Sequence, residues 1–202
     1  MKFTIFPSDT HSIDLLNALL ANNISAADHL SSMAPSKEGD PSFDKLIRST
    51  QLDQEKLTDA LCKSFLVPFN RQDIFDLSIF LYKGVVGIDK IRRRFNTHQL
   101  VPFQNDFPIL YQLLAQHVSS LSIVFKWLIE RNIDGLRTEC LRLISMEKEM
   151  DFIQVQLLAN TPSGPVNSDF LLRKDVYTLF NELTLLYRTC GEFAFKMALK
   201  WL

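Results

Sequence analysis

Glycine is scarce in this chain, at 6 of 202 residues, against 16 phenylalanines. The tight turns between short strands draw heavily on glycine, so a many-stranded fold has little material here and long helices are favoured. Cysteine is scarce as well. Cys62, Cys140 and Cys190 are far apart, odd in number and never in a Cys-x-x-Cys pair, which signals neither a disulfide framework nor a zinc site and leaves reduced thiols as the expectation. No sign of charge is in excess: 22 Lys and Arg stand against 23 Asp and Glu, so there is no global positive field to hold nucleic acid or an anionic membrane. Long apolar runs are missing too. The most apolar mid-chain window, Ser122 to Ile129, is short and carries Lys126, and Met1 to Thr10 lacks the apolar stretch of a signal peptide. A cytoplasmic protein with no membrane-spanning segment is expected. Hydrophobic residues at 47% and charged residues at 22% are enough to build a core, which excludes disorder.

What the chain has in abundance is helical periodicity. Apolar residues recur at Ile13, Leu16, Leu20, Ile24, Ala27 and Leu30, the three-and-four spacing that keeps one stripe on one helix face. Pro35, Gly39 and Pro41 break the chain, and Phe43, Leu46, Ile47, Leu57, Leu61 and Phe65 mark a second helix over Ser42 to Leu66, closed by Pro68. Asn70 caps a third, whose Ile74, Leu77, Leu81, Val85, Ile88, Ile91 or Arg92, and Phe95 follow a near-heptad. Gly84 and Gly87 inside it cost about 1 kcal/mol each in helix propensity, which predicts a close helix contact there. A linker from His98 to Asp106 precedes a stripe at Leu110, Leu114, Val118, Leu121, Phe125 and Leu128. A fifth helix spans Ile133 to Asn160 and stops at the breaker cluster Thr161 to Pro165. The sixth follows Asp169 and carries Leu172, Val176, Leu179, Leu183, Leu186, Cys190, Phe193 and Met197.

The two halves resemble each other. Leu15 to Ser25 aligns with Ile109 to Ser119 through a shared Leu-Leu-Ala, an amide, a polar residue, a β-branched apolar residue and Ser. The expectation is an all-α fold: six long antiparallel helices in two tandem three-helix bundles, one domain over 1–202 with internal repeats at 9–97 and 106–202.

One helix carries an anomaly. With Leu143 at the centre of the fifth helix's apolar face, Glu147 falls about 40° and Asp151 about 80° away, an acidic pair at i, i+4 beside the core. Either both carboxylates reach solvent or a Lys or Arg, or they form a hard-oxygen metal site with Glu182 of the sixth helix, suited to a divalent or ferric ion such as Fe, Mn, Mg, Zn or Ca. No His has Glu three residues before it, so a ferritin-type di-iron centre is disfavoured, and His11, His29, His98 and His117 read as surface or cap residues. Gly-rich phosphate loops, Gly-x-Ser-x-Gly and His-Glu-x-x-His are all missing. Arg92 to Arg94 at the end of the third helix complement its dipole, with a phosphate or partner patch as the alternative.

The stretch Lys63-Ser64-Phe65-Leu66-Val67-Pro68-Phe69-Asn70-Arg71-Gln72-Asp73-Ile74 resembles the segment between the second and third helices of PhoU-like proteins, specifically the accessory proteins of Pit-type phosphate transporters. Their pattern is Thr-Phe-x-Thr-Pro-Phe-Asp-Arg-Glu-Asp-Ile; Phe65, Pro68, Phe69, Arg71, Asp73 and Ile74 are kept, whereas Ser64, Val67, Asn70 and Gln72 depart. The resemblance implies a non-enzymatic cytoplasmic regulator of inorganic phosphate transport that acts by protein–protein contact. Its partner would be a Pit-type permease or another membrane transport complex, with the chain at most peripheral to the membrane and able to form a homo-oligomer. The family's acidic motifs for metal clusters match here only at Glu147 and Asp151, with Glu182 alone in the sixth helix. Ile47, Gln51, Tyr82, Val86 and Leu186 stand at the other acidic positions. Two other readings remain: a metal-dependent hydrolase using Glu147, Asp151 and Glu182, and a self-associating helical adaptor.

Overall fold

The computed structural model describes residues 11–32, 41–63, 69–98, 107–160 and 168–200. Six helices follow in order: α1 (His11–Ser32), α2 (Pro41–Lys63), α3 (Arg71–His98), α4 (Phe107–Ile129), α5 (Ile133–Ala159) and α6 (Ser168–Leu199). No strand occurs among the described residues, and the helix bounds match the sequence periodicity closely. Phe65 and Pro68, by which the second helix was expected to end, lie outside the described residues.

α1, α3, α4 and α6 pack together as a central four-helix core, with α2 against α1 and α3 on one flank and α5 against α4 and α6 on the other. Exchanging α1 with α4, α2 with α5 and α3 with α6 leaves these packing partners unchanged. Burial respects the same exchange. Leu16, Leu19, Leu20, Asn23, Ala26, Ala27 and Leu30 are buried in α1, and so are the residues 94 places later in α4: Leu110, Leu113, Leu114, His117, Ser120, Leu121 and Val124.

The seam of α3 is as the spacing predicts: Ile74, Leu77, Leu81, Val85, Ile88 and Ile91 are fully buried. The stripe of α1 is shifted. Ile24 is 38% exposed and Asn23 faces the core instead. In α6 the buried face is wider than one 4-3 stripe and includes Tyr177, Phe180 and Tyr187, because this helix packs on three others at once.

The two glycines of α3 sit where helices approach closely. A Cβ on Gly87 would meet Leu183 at 2.9 Å, and one on Gly84 would collide with the Asn23 Oδ1 and the Tyr187 ring. That space holds a buried polar junction between the halves. The Asn23 Nδ2 donates to the carbonyls of Leu19 (2.8 Å) and Leu81 (2.9 Å), and its Oδ1 accepts from the Tyr187 hydroxyl at 3.0 Å. A buried amide left unpaired would cost several kcal/mol; here both ends are paired.

Other ties between the halves lie nearer the helix ends. Phe95 meets Phe107 edge to face at 4.1 Å, Phe80 lies against Phe193, and Arg94 pairs with Asp175 at 3.2 Å. α4 is long and apolar enough to cross a membrane by length and composition, a property the short Ser122 to Ile129 window does not reveal. Half of its apolar window is buried against the bundle, where a core helix places it.

The turn from α4 to α5 closes one helix and opens the next. Arg131 is left-handed at φ 57°, the Asn132 N–H donates to the Trp127 carbonyl and the Arg131 N–H to that of Leu128, which completes a Schellman motif. Asn132 then caps α5 by accepting from the Gly135 N–H.

Candidate functional site

The three carboxylates expected to share a cation are not gathered into one group. Glu147 is half-buried on α5 and forms an ion pair with the Arg188 Nε of α6 at 2.8 Å. The Arg188 Nη1 donates to Glu192 at 3.2 Å, so the guanidinium already bridges two acids. Asp151 and Glu182 are both exposed. Among the described residues no three His, Cys, Asp or Glu side chains converge to hold a metal ion. The residues present therefore do not fit the metal centre that the acidic pair suggests; the fixed cation of Arg188 meets the need of Glu147.

Asp151 lies about 80° from Leu143, just past Cys140 at the edge of the buried face of α5, and is exposed. Met146 and Gln154 belong to that face, and the acid it contains is Glu139, only 7% exposed. Ser120 of α4 donates to the Glu139 Oε1 at 2.6 Å, and Arg142 donates to the same oxygen at 3.2 Å. Glu139 falls about 40° from Leu143, on the opposite side from Glu147, and its partner Ser120 becomes visible only once α4 and α5 are docked.

His117 corrects the reading of the histidines as surface groups: it is fully buried in α4. Its ring Nδ1 lies 2.8 Å from the Leu113 carbonyl and so carries the hydrogen, which leaves the Nε2 as a buried acceptor with no hydrogen-bond partner. Burial holds its pKa below the ordinary histidine value, opposed by the Leu113 hydrogen bond. His11 is exposed and His29 half-buried against Phe43, while the His98 side chain lies outside the described residues.

The arginine run at the end of α3 is paired internally. Arg92 is buried over the Phe43 ring, donating to Asp89 (2.7 and 2.8 Å) and to Asp44 of α2 (3.2 Å); Arg93 pairs with Asp89 at 2.7 Å. The run thus locks α2 to α3, and Arg94 reaches Asp175 of α6. The two buried thiols are not reactive centres either. Desolvation pushes Cys140 up to about 11 and Cys190 higher, so both are protonated near neutrality, while Cys62 is exposed.

The segment that leads into α3 makes a structural joint. Phe69 packs against the core, the Asn70 Oδ1 accepts from the Gln72 N–H at 2.9 Å, and buried Asp73 accepts from the Lys200 Nζ at 2.7 and 2.8 Å. The Asp73–Lys200 pair ties the start of α3 to the end of α6. Beside it, Ile13, Leu16, Phe125, Leu128 and Met197 close around a space of about 10 Å³, room for a single water-sized sphere and too little for a ligand.

A crystal structure of a PhoU-like protein from Shewanella oneidensis MR-1 superposes with a TM-score of 0.66, covering 95% of this chain and 97% of that one at 16% identity. The fold is PhoU-like. At that identity the likeness fixes the arrangement of the six helices and not a chemistry. No family model matches the chain, and no curated protein matches it by sequence.

Proposed function

We propose that the protein is a non-enzymatic cytoplasmic regulator of inorganic phosphate transport that acts by contact with a membrane transport complex, of the Pit-type permease class. The observation that carries this reading is the end-to-end match to a PhoU-like fold, joined to a Phe69-Asn70-Arg71-Gln72-Asp73-Ile74 segment at the position where the family resemblance places it. Contact suits the chemistry of the surface. The buried acids and the arginine run are matched to one another inside the molecule, and the described space among Leu16, Phe125 and Met197 is too small for a ligand.

A metal-dependent hydrolase would need an open cation position and a base. Glu147 is engaged by Arg188, and the exposed Asp151 and Glu182 share no site with it. The test is uptake of radiolabelled phosphate in cells lacking the gene, at limiting and at replete phosphate. Altered uptake that the wild-type gene restores is the expected outcome; unchanged uptake and unchanged intracellular phosphate under both regimes would overturn the proposal.

A further inference from the structure

The outward face of α5 carries a second seam. Leu141, Ser145, Lys148, Phe152, Val155 and Ala159 follow one another at alternating four and three, the spacing of a coiled-coil stripe, and all six are exposed. Leu141 is 58% exposed, Phe152 62% and Val155 66%. The matching face of α2, 100 residues earlier, holds Pro41, Lys45, Arg48, Leu52, Glu55 and Asp59, an ordinary charged surface. Since both helices occupy equivalent flanks of the same core, the fold does not account for the apolar seam on one of them.

We infer that this face of α5 pairs with the α5 of a second copy of the chain, antiparallel about a two-fold axis. The side chains are self-complementary in one register. Placing Phe152 over the partner copy's Leu141, and Leu141 over its Phe152, seats each Lys148 beside a Ser145 and brings each exposed Glu149 beside an Arg142. Sliding by one heptad opposes Glu149 to Glu149 and Asp151 to Asp151 in one direction and Arg142 to Arg142 in the other, like-charge arrangements that disfavour those registers. The seam runs about 27 Å at 1.5 Å per residue, shorter than a standard stable interface requires, so the dimer is a weak and reversible one. Dimerisation through α5 does not depend on any phosphate role, and its failure would leave the uptake experiment unaffected.

Sedimentation velocity of the full chain from about 5 to about 500 μM should show a monomer–dimer equilibrium with its midpoint in that range. Phe152→Glu, at an exposed position that leaves the core intact, should weaken association at least about tenfold, a change of about 1.4 kcal/mol, with helicity by circular dichroism unchanged. The register is read by disulfide trapping in a Cys62→Ser background: Thr138→Cys mixed with Val155→Cys should give the mixed disulfide well above either homodimer. A chain that stays monomeric throughout, a dimer indifferent to Phe152→Glu, or trapping with no preference for the mixed pair would each overturn the inference.

Discussion

α1 and α4 bury residues at the same places, yet one shared position is filled differently. In α1 it is Asn23, whose amide is satisfied at both ends by Leu19, Leu81 and Tyr187. In α4 it is His117, bonded at the Nδ1 and unpartnered at the Nε2. The flanking helices diverge in the same way: α2 is mostly charged on its outer face, whereas α5 exposes Leu141, Phe152 and Val155 beside Ser145 and Lys148. Of the large hydrophobic residues exposed among the described residues, only Ile24 and Leu52 belong to the first half. The first half therefore reads as closed on itself, and the second as the half that presents groups not used by the fold.

The sharpest way to break that comparison is at Gly84. Gly84→Val places branched carbons where the Asn23 amide and the Tyr187 ring now sit, so the helices must part or the junction must break. A loss of about 3 kcal/mol or more by urea denaturation is expected, well beyond the gain of up to about 1 kcal/mol in helix propensity. Asn23→Ala comes next, at about 2 to 3 kcal/mol, because it strands the buried Tyr187 hydroxyl and leaves a gap. If both variants are as stable as wild type, the junction does not join the halves.

At the equivalent place His117→Leu should behave oppositely. It removes a buried acceptor that has no partner, so the cost near neutral pH should stay within about 1 kcal/mol. The pH dependence follows from the lowered pKa. The unfolded chain takes up a proton near the ordinary histidine value of about 6.5 while the folded ring does not, so stability is complete above that value and falls with pH below it, by up to about 1.4 kcal/mol per unit. Comparing wild type with His117→Leu at pH 7 and pH 5.5 isolates this contribution; an identical pH slope in both proteins would contradict it.

The smallest effect is expected at the α4–α5 turn. Arg131→Gly relieves a non-glycine residue at φ 57° and should raise stability by up to about 1 kcal/mol, measured by thermal melts. A fall in stability instead would mean that the arginine side chain contributes more than its backbone costs.

Most of the frame was legible in the sequence because burial in a helix leaves a periodic trace. The α3 and α4 stripes, the two glycines at a close crossing and the end of α5 at Ala159 all follow from the sequence pattern. The polar interior was not legible, since a buried Asn, His or Glu carries no periodic signature until its partner helix is in place. Ile24 beside it masks Asn23, and Glu139, as near to Leu143 on the helix face as Glu147 is, has no partner to mark it until Ser120 of α4 is docked. Glu147 was rightly drawn towards a cation, but the sequence alone does not distinguish Arg188 from a metal.

The central claim is that the second half works by contact, with Glu147 neutralised by Arg188, and not through a carboxylate-bound metal. Elemental analysis of the purified protein, alongside Glu147→Ala and Asp151→Ala, tests it most directly. The account predicts no stoichiometric metal in any of the three; about one equivalent or more in the wild type, lost in both variants, would contradict it.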